Sequence, residues 1–339
     1  LAVRAYRYDD FDSLDHLRLH EEAMPEPQRG ELLLRVHAVS LNYRDLAVVL
    51  GRYVQDARPG LVPASDAASE VVAVGEGVDG IRPGDRVINA FHPRWFGGRM
   101  PSDWVSDCYG TGRDGWLTEF KVVSQEAVVP LPSTLSYEEG ATLPCAAATA
   151  WCALSGARAV RAGQVVLTQG TGGVSIFALQ LAKQCGARVI ATTGSKAKAE
   201  RLRALGADEV IDYVACPQWG ERVRELTGGR GVDCVVEVGG PATVNQSLHA
   251  VARDGEVVLI GFLTEENPGI DYFRLKGSGA TVRAISVGDR ANLEDLVRCV
   301  GMTGLKPVID RVFAFDEARE AFLHLKAARH FGKVVIRVA

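Results

Sequence analysis

The chain is short of several features that would each have named a class of function. Its seven cysteines, Cys108, Cys145, Cys152, Cys185, Cys216, Cys234 and Cys299, include no Cys-x-x-Cys pair. Such an odd, scattered set reads as reduced thiols and argues against a disulfide framework or a clustered zinc lobe. No apolar run approaches the roughly 18 residues that span a bilayer, and residues 1–10 lack a hydrophobic signal core, so a cytoplasmic protein with no membrane partner is expected. Leu1 stands where Met would, which suggests a trimmed first residue. Charge of one sign is scarce too: the formal net charge is −4 and Lys and Arg are dispersed, which gives nucleic acid no basic face to bind. His16 and His20 have the spacing of a helical metal pair, but Leu17 and Leu19 alternate around them as in a strand. Strand positions four apart lie about 13 Å from each other, so both histidines are expected to face solvent.

What is present is a large apolar content, 47% of 339 residues, enough for a sizeable core in two domains. One stretch organises the reading. Val165, Val166, Leu167 and Thr168 form a β-rich run, followed at once by Gln169-Gly170-Thr171-Gly172-Gly173-Val174-Ser175. Val174, Phe177, Ala178, Leu181 and Ala182 then recur at helical spacing. Strand, glycine turn and helix in this order make a dinucleotide site, because glycines let the backbone approach a pyrophosphate and the helix N-terminus stabilises its charge. Ser175 occupies the place of the third glycine of the fingerprint and is small enough to serve there.

Residues 1–125 show short alternating runs broken by Gly, Pro and Asp, including Leu32, Leu34 and Val36, which fits a compact, partly open β-barrel. Between positions 91 and 116 the texture changes: His92, Trp95, Phe96, Trp104, Tyr109 and Trp116 stand among glycines and polar residues. This loop is either a surface insertion packed on itself or a wall over a flat apolar substrate. From 126 to 305 strand-like runs at 165–168, 188–193, 209–211, 234–238, 257–260 and 281–285 alternate with helical segments, the pattern of a doubly wound parallel α/β sheet. Residues 306–339 add a helix at 316–328, with Asp316 as its cap, and a strand at 333–338.

An NAD site places an acid at the end of the second strand, about 20 residues beyond the glycine turn. Here residues 191–199 contain no acid, and Ser195, Lys196 and Lys198 offer a hydroxyl and two cations. These suit a 2′-phosphate, so NADP(H) is the expected cofactor; the alternative is that the lysines are solvated residues of the next helix.

Thr168-Gln169-Gly170-Thr171-Gly172-Gly173-Val174-Ser175, Leu143-Pro144-Cys145-Ala146-Ala147-Ala148-Thr149-Ala150-Trp151, Leu41-Asn42-Tyr43-Arg44-Asp45 and Phe331-Gly332-Lys333-Val334-Val335 resemble the medium-chain dehydrogenase/reductase superfamily along the whole chain. The resemblance is to its zinc-independent, quinone oxidoreductase-like branch. It implies a GroES-like barrel from residues 1–125 and 306–339, a Rossmann domain at 126–305, an active site in the cleft, and a homodimer. Zinc-using relatives carry ligands where this chain has Asn42, Ser65 and Cys145, with Asp66 beside them, and of these only Cys145 has a suitable ligand side chain in place. One thiolate cannot hold a catalytic zinc. By the same resemblance Asn42 and Tyr53 lie near the substrate carbonyl. Thr171, Gly172, Gly173 and Val174 cradle the cofactor; Ser195, Lys198 and Tyr213 surround its 2′-phosphate; Gly239, Ile260 and Phe262 run along its ribose and nicotinamide; and Lys333 is a further contact.

These residues lead to an expectation of hydride transfer from NADPH to a quinone or an α,β-unsaturated carbonyl, acceptors that need no metal. Enoyl-thioester reduction, zinc-dependent alcohol oxidation and a non-catalytic NADPH sensor are the alternatives.

Overall fold

The structure, a computed structural model, describes residues 2–53, 57–104, 106–264 and 269–339. Strands β1 (Ala2–Tyr8), β2 (Leu17–Ala23), β3 (Glu31–Leu41), β4 (Asp66–Val74), β5 (Arg86–Asn89), β6 (Phe120–Ser124) and β7 (Val128–Pro130) come first. They are followed by β8 (Val165–Gln169), β9 (Arg188–Thr193), β10 (Glu209–Asp212), β11 (Val232–Glu237), β12 (Val251–Leu259) and β13 (Thr281–Ala284). The last two are β14 (Ile309–Ala314) and β15 (Lys333–Arg337). The helices, in chain order, are α1 (Tyr43–Val49), α2 (Tyr137–Gly140), α3 (Ala148–Ser155), α4 (Gly173–Gln184) and α5 (Lys196–Ala204). After them come α6 (Trp219–Leu226), α7 (Val244–Ala250), α8 (Tyr272–Ser278), α9 (Arg290–Thr303) and α10 (Ala318–Lys326).

Two compact units result: Leu1–Ala148 with Gly288–Ala339, and Thr149–Val287. The expectation drew its lines at 125 and 306. In the structure β7 pairs with β5 and α9 packs on β7, which draws the flanking segments into the first unit.

The first unit is a GroES-like β domain with strand order β14-β15-β3-β4-β5-β7, and β6 also pairs with β3. The long β3 holds it together. Its inward residues are Leu32, Leu34 and Val36, then Val39 and Leu41, all buried. The change from even to odd positions is made by a register shift between Val36 and Ala38, since one extra residue turns every later side chain to the opposite face. Burying each of these side chains contributes roughly 1.5–3 kcal/mol. His16 corrects one expectation: it ends a 3₁₀ turn at Leu14–His16 instead of lying in a strand, and bonds Asp12, while His20 in β2 bonds Asp9. A second correction concerns Asp316. A 3₁₀ turn, Phe315–Glu317, precedes α10, so Asp316 sits inside that turn and reaches Arg4, and Glu317 bonds the Ala314 amide as the chain enters it.

The second unit is a six-stranded sheet in the order β10-β9-β8-β11-β12-β13 with every pairing parallel. Strand order reverses between β8 and β11, the switch point of a doubly wound Rossmann sheet. In α4 the buried arc is wider than the expected stripe: Ile176 and Leu179 are buried as well, while Val174 is only half-buried.

Candidate functional site

At the carboxyl end of β8 the chain makes the expected glycine turn. Gly170 has φ +69°, a left-handed conformation that side chains avoid. Gly172 begins α4, and a Cβ placed on it would meet nothing within 4 Å, so the turn opens onto free space. The amides of the first turn of α4, at Gly173, Val174 and Ser175, have no helical acceptor and carry the positive end of the helix dipole. Ser175 Oγ donates to Gln169 O at 2.6 Å, so the residue in the third glycine position fastens the helix back onto the strand.

Ser195, Lys198 and Tyr213 are brought together after β9. Ser195 caps α5, its Oγ accepting the Lys198 amide at 3.4 Å, and Tyr213 donates its amide to Thr193 O. The Tyr213 ring lies against Gly194, where a Cβ would stand 2.9 Å from ring atoms. The acid that ends the neighbouring strand, Asp212 of β10, is turned to its own loop and accepts the amides of Val214 and Ala215. A hydroxyl, a cation and an aromatic edge are thus gathered at the end of β9, the chemistry of a ribose-binding corner. Together with the open glycine turn, these residues suit a dinucleotide.

Gly239, Ile260 and Phe262 lie on two loops that touch closely. A Cβ on Gly261 would stand 2.0 Å from Val238 O, and one on Gly240 would stand 3.0 Å from the Phe262 Cα. What shapes these loops was invisible in the sequence reading. Glu237, fully buried at the end of β11, accepts from the amides of Gly239 and Gly240 at 2.9 Å, from Thr243 Oγ1 at 2.5 Å, from Gln169 Nε2 at 2.9 Å, and from Ser247 Oγ. Gln169 Oε1 in turn accepts the amides of Val238 and Gly239. The Gly239 amide is thus directed inward, and its loop offers a ligand its outer surface. No motif marks this network, because Gln169 and Glu237 meet only through the pairing of β8 with β11.

In the first unit Asn42 ends β3 and begins α1, and its amide donates to Asp45 Oδ2 at 2.8 Å. Its side chain is committed as well. Lys333 Nζ donates to Asn42 Oδ1 at 2.5 Å and to Leu41 O at 2.7 Å, and Asn42 Nδ2 donates to Ser65 Oγ at 3.3 Å. Ser65 donates to Asp66 Oδ1 at 2.6 Å, and Asp66 Oδ2 accepts the Cys145 amide at 3.0 Å. Lys333, expected as a cofactor contact, therefore has its ammonium beside Asn42. Burial lowers its pKa, opposed by Asp66. Burial raises Asp66, opposed by Lys333 and by the hydrogen bonds it accepts, and pushes Asp45 up to about 6 against the pull of Arg44.

Tyr53 is joined to this cluster through Arg44. The buried guanidinium lies 5.2 Å from the Tyr53 ring and 5.1 Å from the Phe91 ring. It donates to Asp45 Oδ1 and Tyr109 O through Nη1 and to Thr111 Oγ1 through Nη2. The aromatic loop packs on itself: His92 meets Phe91, Trp95 and Trp104 edge to face, Cys108 bonds Trp104 O, and Arg94 and Arg113 share the buried Asp107. With β6 it walls a half-open cavity of about 630 Å³, lined by Phe96, Tyr109, Arg113 and Lys121 among others and by neither Asn42 nor Tyr53.

A catalytic zinc does not fit these residues. The ligand positions hold an amide, a hydroxyl, one carboxylate and a thiol, and an ammonium already contacts the amide. Burial and the nearby Asp66 raise the Cys145 pKa far above the usual thiol value, so it is not a ready thiolate. Among the described residues, no group of three or more His, Cys, Asp or Glu side chains is placed to hold a metal.

Residues 28–133 match the alcohol dehydrogenase GroES-like domain, and residues 173–301 match the zinc-binding dehydrogenase domain. The chain is 38% identical to a zinc-type alcohol dehydrogenase-like protein of Schizosaccharomyces pombe, over 100% of both. It is 31% identical to the 2-methylene-furan-3-one reductase of Solanum lycopersicum, over 98% of this chain and 79% of that protein. With a chloroplastic quinone oxidoreductase of Triphysaria versicolor it shares 30% identity over 98% of both. A solved Sinorhizobium meliloti 1021 protein superposes with TM-score 0.93 at 41% identity, over 99% of both chains. A solved NAD-dependent alcohol dehydrogenase gives 0.90 at 32%, over 99% of this chain and 100% of that one. A mycobacterial protein complexed with NADPH gives 0.84 at 26%, with the same coverage. Matches of this length, on a Rossmann sheet with an open glycine turn and a GroES-like β domain, place the chain in the medium-chain dehydrogenase/reductase superfamily, and it is an oxidoreductase of that family.

Proposed function

We propose that this oxidoreductase uses NADPH to reduce a quinone or the carbon–carbon double bond of an α,β-unsaturated carbonyl, without a catalytic metal. One observation carries the reading: the metal-ligand positions are filled by Asn42, Ser65, Asp66 and Cys145, bonded to one another and to Lys333. With no Lewis acid to stabilise an alkoxide, the acceptors that suit the site spread the developing charge over a conjugated system. Two relatives, an enone reductase by its name and a quinone oxidoreductase, support the same acceptor class.

When bound, NADPH supplies the hydride with its two electrons. The chain's own residues bind, orient and shield. The amides of α4 hold the pyrophosphate; Ser195, Lys198 and Tyr213 hold the 2′-phosphate and favour NADPH over NADH. Asn42 and Tyr53 orient the acceptor oxygen, and water or Tyr53 supplies the proton, which goes to a quinone's oxygen or to the α-carbon of an enone. The mycobacterial structure with NADPH supports this cofactor. A homodimer belongs to the same reading, since β13 is an outer strand of its sheet and Tyr272 and Phe273 of α8 are exposed.

The test is oxidation of NADPH and of NADH, followed at 340 nm, against quinones, enones, enoyl thioesters and aldehydes, with and without a chelator. Chelator-insensitive turnover of quinones or enones, faster with NADPH, is expected. Turnover confined to aldehydes and lost with the chelator would overturn the proposal, as would tight NADPH binding with no turnover of any acceptor.

A further inference from the structure

We infer that Lys333 is the positioning residue of the acceptor site: its buried ammonium is a resident cation that fixes the Asn42 amide and compensates Asp66. The inference rests on the reading above, in which Asn42 meets the acceptor oxygen.

Strand pairing delivers the cation. β15 runs antiparallel to β3 with Val334 opposite Leu41, which sets Lys333, one residue earlier, at the point where Asn42 leaves the strand. Its side chain is buried, and its ammonium bonds Leu41 O at 2.7 Å and Asn42 Oδ1 at 2.5 Å. Two fully buried carboxylates stand close by. Asp45 has Arg44 at 3.0 Å, and Asp66 is joined to Lys333 by the hydrogen-bond relay through Asn42 and Ser65.

The contact with Asn42 does two things. It settles which end of the amide is which, because an ammonium only donates and so selects the oxygen. Nδ2 is thereby aimed at Ser65, and the 3.3 Å bond there is the longest in the chain from Lys333 to Asp66. It is the bond an acceptor oxygen can replace at least cost. A cation on Oδ1 also draws electron density through the amide and strengthens Nδ2–H as a donor. As negative charge grows on the acceptor oxygen, that donor stabilises it with positive charge one amide away. Lys333 does not touch the acceptor. It acts through Asn42, in the place where zinc-using relatives have a metal.

The test uses the full chain with Lys333→Ala, Lys333→Met, Asp66→Asn and the double variant Lys333→Met/Asp66→Asn. With a quinone or enone turned over by the unmodified protein, Lys333→Ala is expected to lose roughly 100-fold in kcat, the size of effect seen when one oxyanion donor is removed. KM for NADPH should stay within about 3-fold, and added methylammonium should recover much of the lost kcat. A raised KM for NADPH with kcat retained would show a cofactor contact and overturn the inference. The thermal midpoint gives a readout that needs no turnover. Lys333→Met should lower it by roughly 5 °C, and adding Asp66→Asn should restore most of the loss. Additive losses in the double variant would overturn the compensation of Asp66. If the unmodified protein reduces none of the acceptors, the proposed reaction fails, while the thermal cycle still decides whether Lys333 and Asp66 are coupled.

Discussion

In the GroES-like unit Asp45 is buried against Arg44, and Asp66 is joined to Lys333 through Ser65 and Asn42; in the Rossmann unit Glu237 is buried among hydroxyls, an amide side chain and backbone amides. Among the described residues every hydrogen-bond partner of Glu237 is uncharged. The difference follows from what each carboxyl group organises. Glu237 gathers peptide N–H groups, so it dictates the path of the loop at 238–240. Each aspartate accepts one backbone amide, from Asn42 or Cys145, and one side-chain donor, Arg44 or Ser65, and the cations of the cluster leave the Asn42 amide polarised. Glu237 shapes its loop with neutral donors, and the aspartates share in a charged cluster.

Breaking the neutral network should cost most. Glu237→Leu removes an acceptor from five donors and leaves the Gly240 amide and the Ser247 hydroxyl without their acceptor, and each unsatisfied buried group costs about 1–3 kcal/mol before relaxation. A loss of roughly 4 kcal/mol in urea unfolding is expected, together with weaker NADPH binding as the Gly239 loop loses its anchor. Undiminished stability would mean that the loop holds its path without Glu237. Removing one partner of an ion pair comes next. Arg44→Met leaves Asp45 buried and uncompensated and frees Tyr109 O and Thr111, for about 3 kcal/mol. Tyr53, which stacks on the guanidinium, should become more mobile, readable as increased quenching of tyrosine emission.

The smallest effect sharpens the contrast through pH. Burial raises Asp45 from 3.8 to about 6, so the folded protein holds this proton more tightly than the unfolded chain. Its contribution to stability is fully present below pH 4 and is lost as pH rises through 6. Asp45→Asn should remove that part of the pH dependence. An unchanged slope between pH 4 and 6 would show that the Arg44 pair already holds Asp45 ionised.

Much of the fold could be read directly because it is written in local periodicity. The strand at 188–193 matches β9, and alternation of strands and helices gave the parallel sheet. Part of the cofactor site was legible for the same reason, since a strand, a glycine turn and a helix are contiguous. The cluster around Asn42 was only half legible. Asn42 and Lys333 were named separately, yet their contact depends on which strands pair, and no local pattern reports that β15 lies beside β3. Arg44, Ser65 and the Gln169–Glu237 pair were missed because each draws its meaning from a distant partner. Asp316 misled for the opposite reason: an acid before an apolar run looks like a helix cap, and only the structure shows the extra turn.

The discontinuity of the GroES-like unit carries a consequence for biosynthesis. Thr149–Val287 is one continuous stretch, whereas Leu1–Ala148 must wait for Gly288–Ala339 to be translated before β15 can pair with β3. At the ribosome the Rossmann unit can therefore fold first, and Lys333 can reach Asn42 only after Thr149–Val287 has been made.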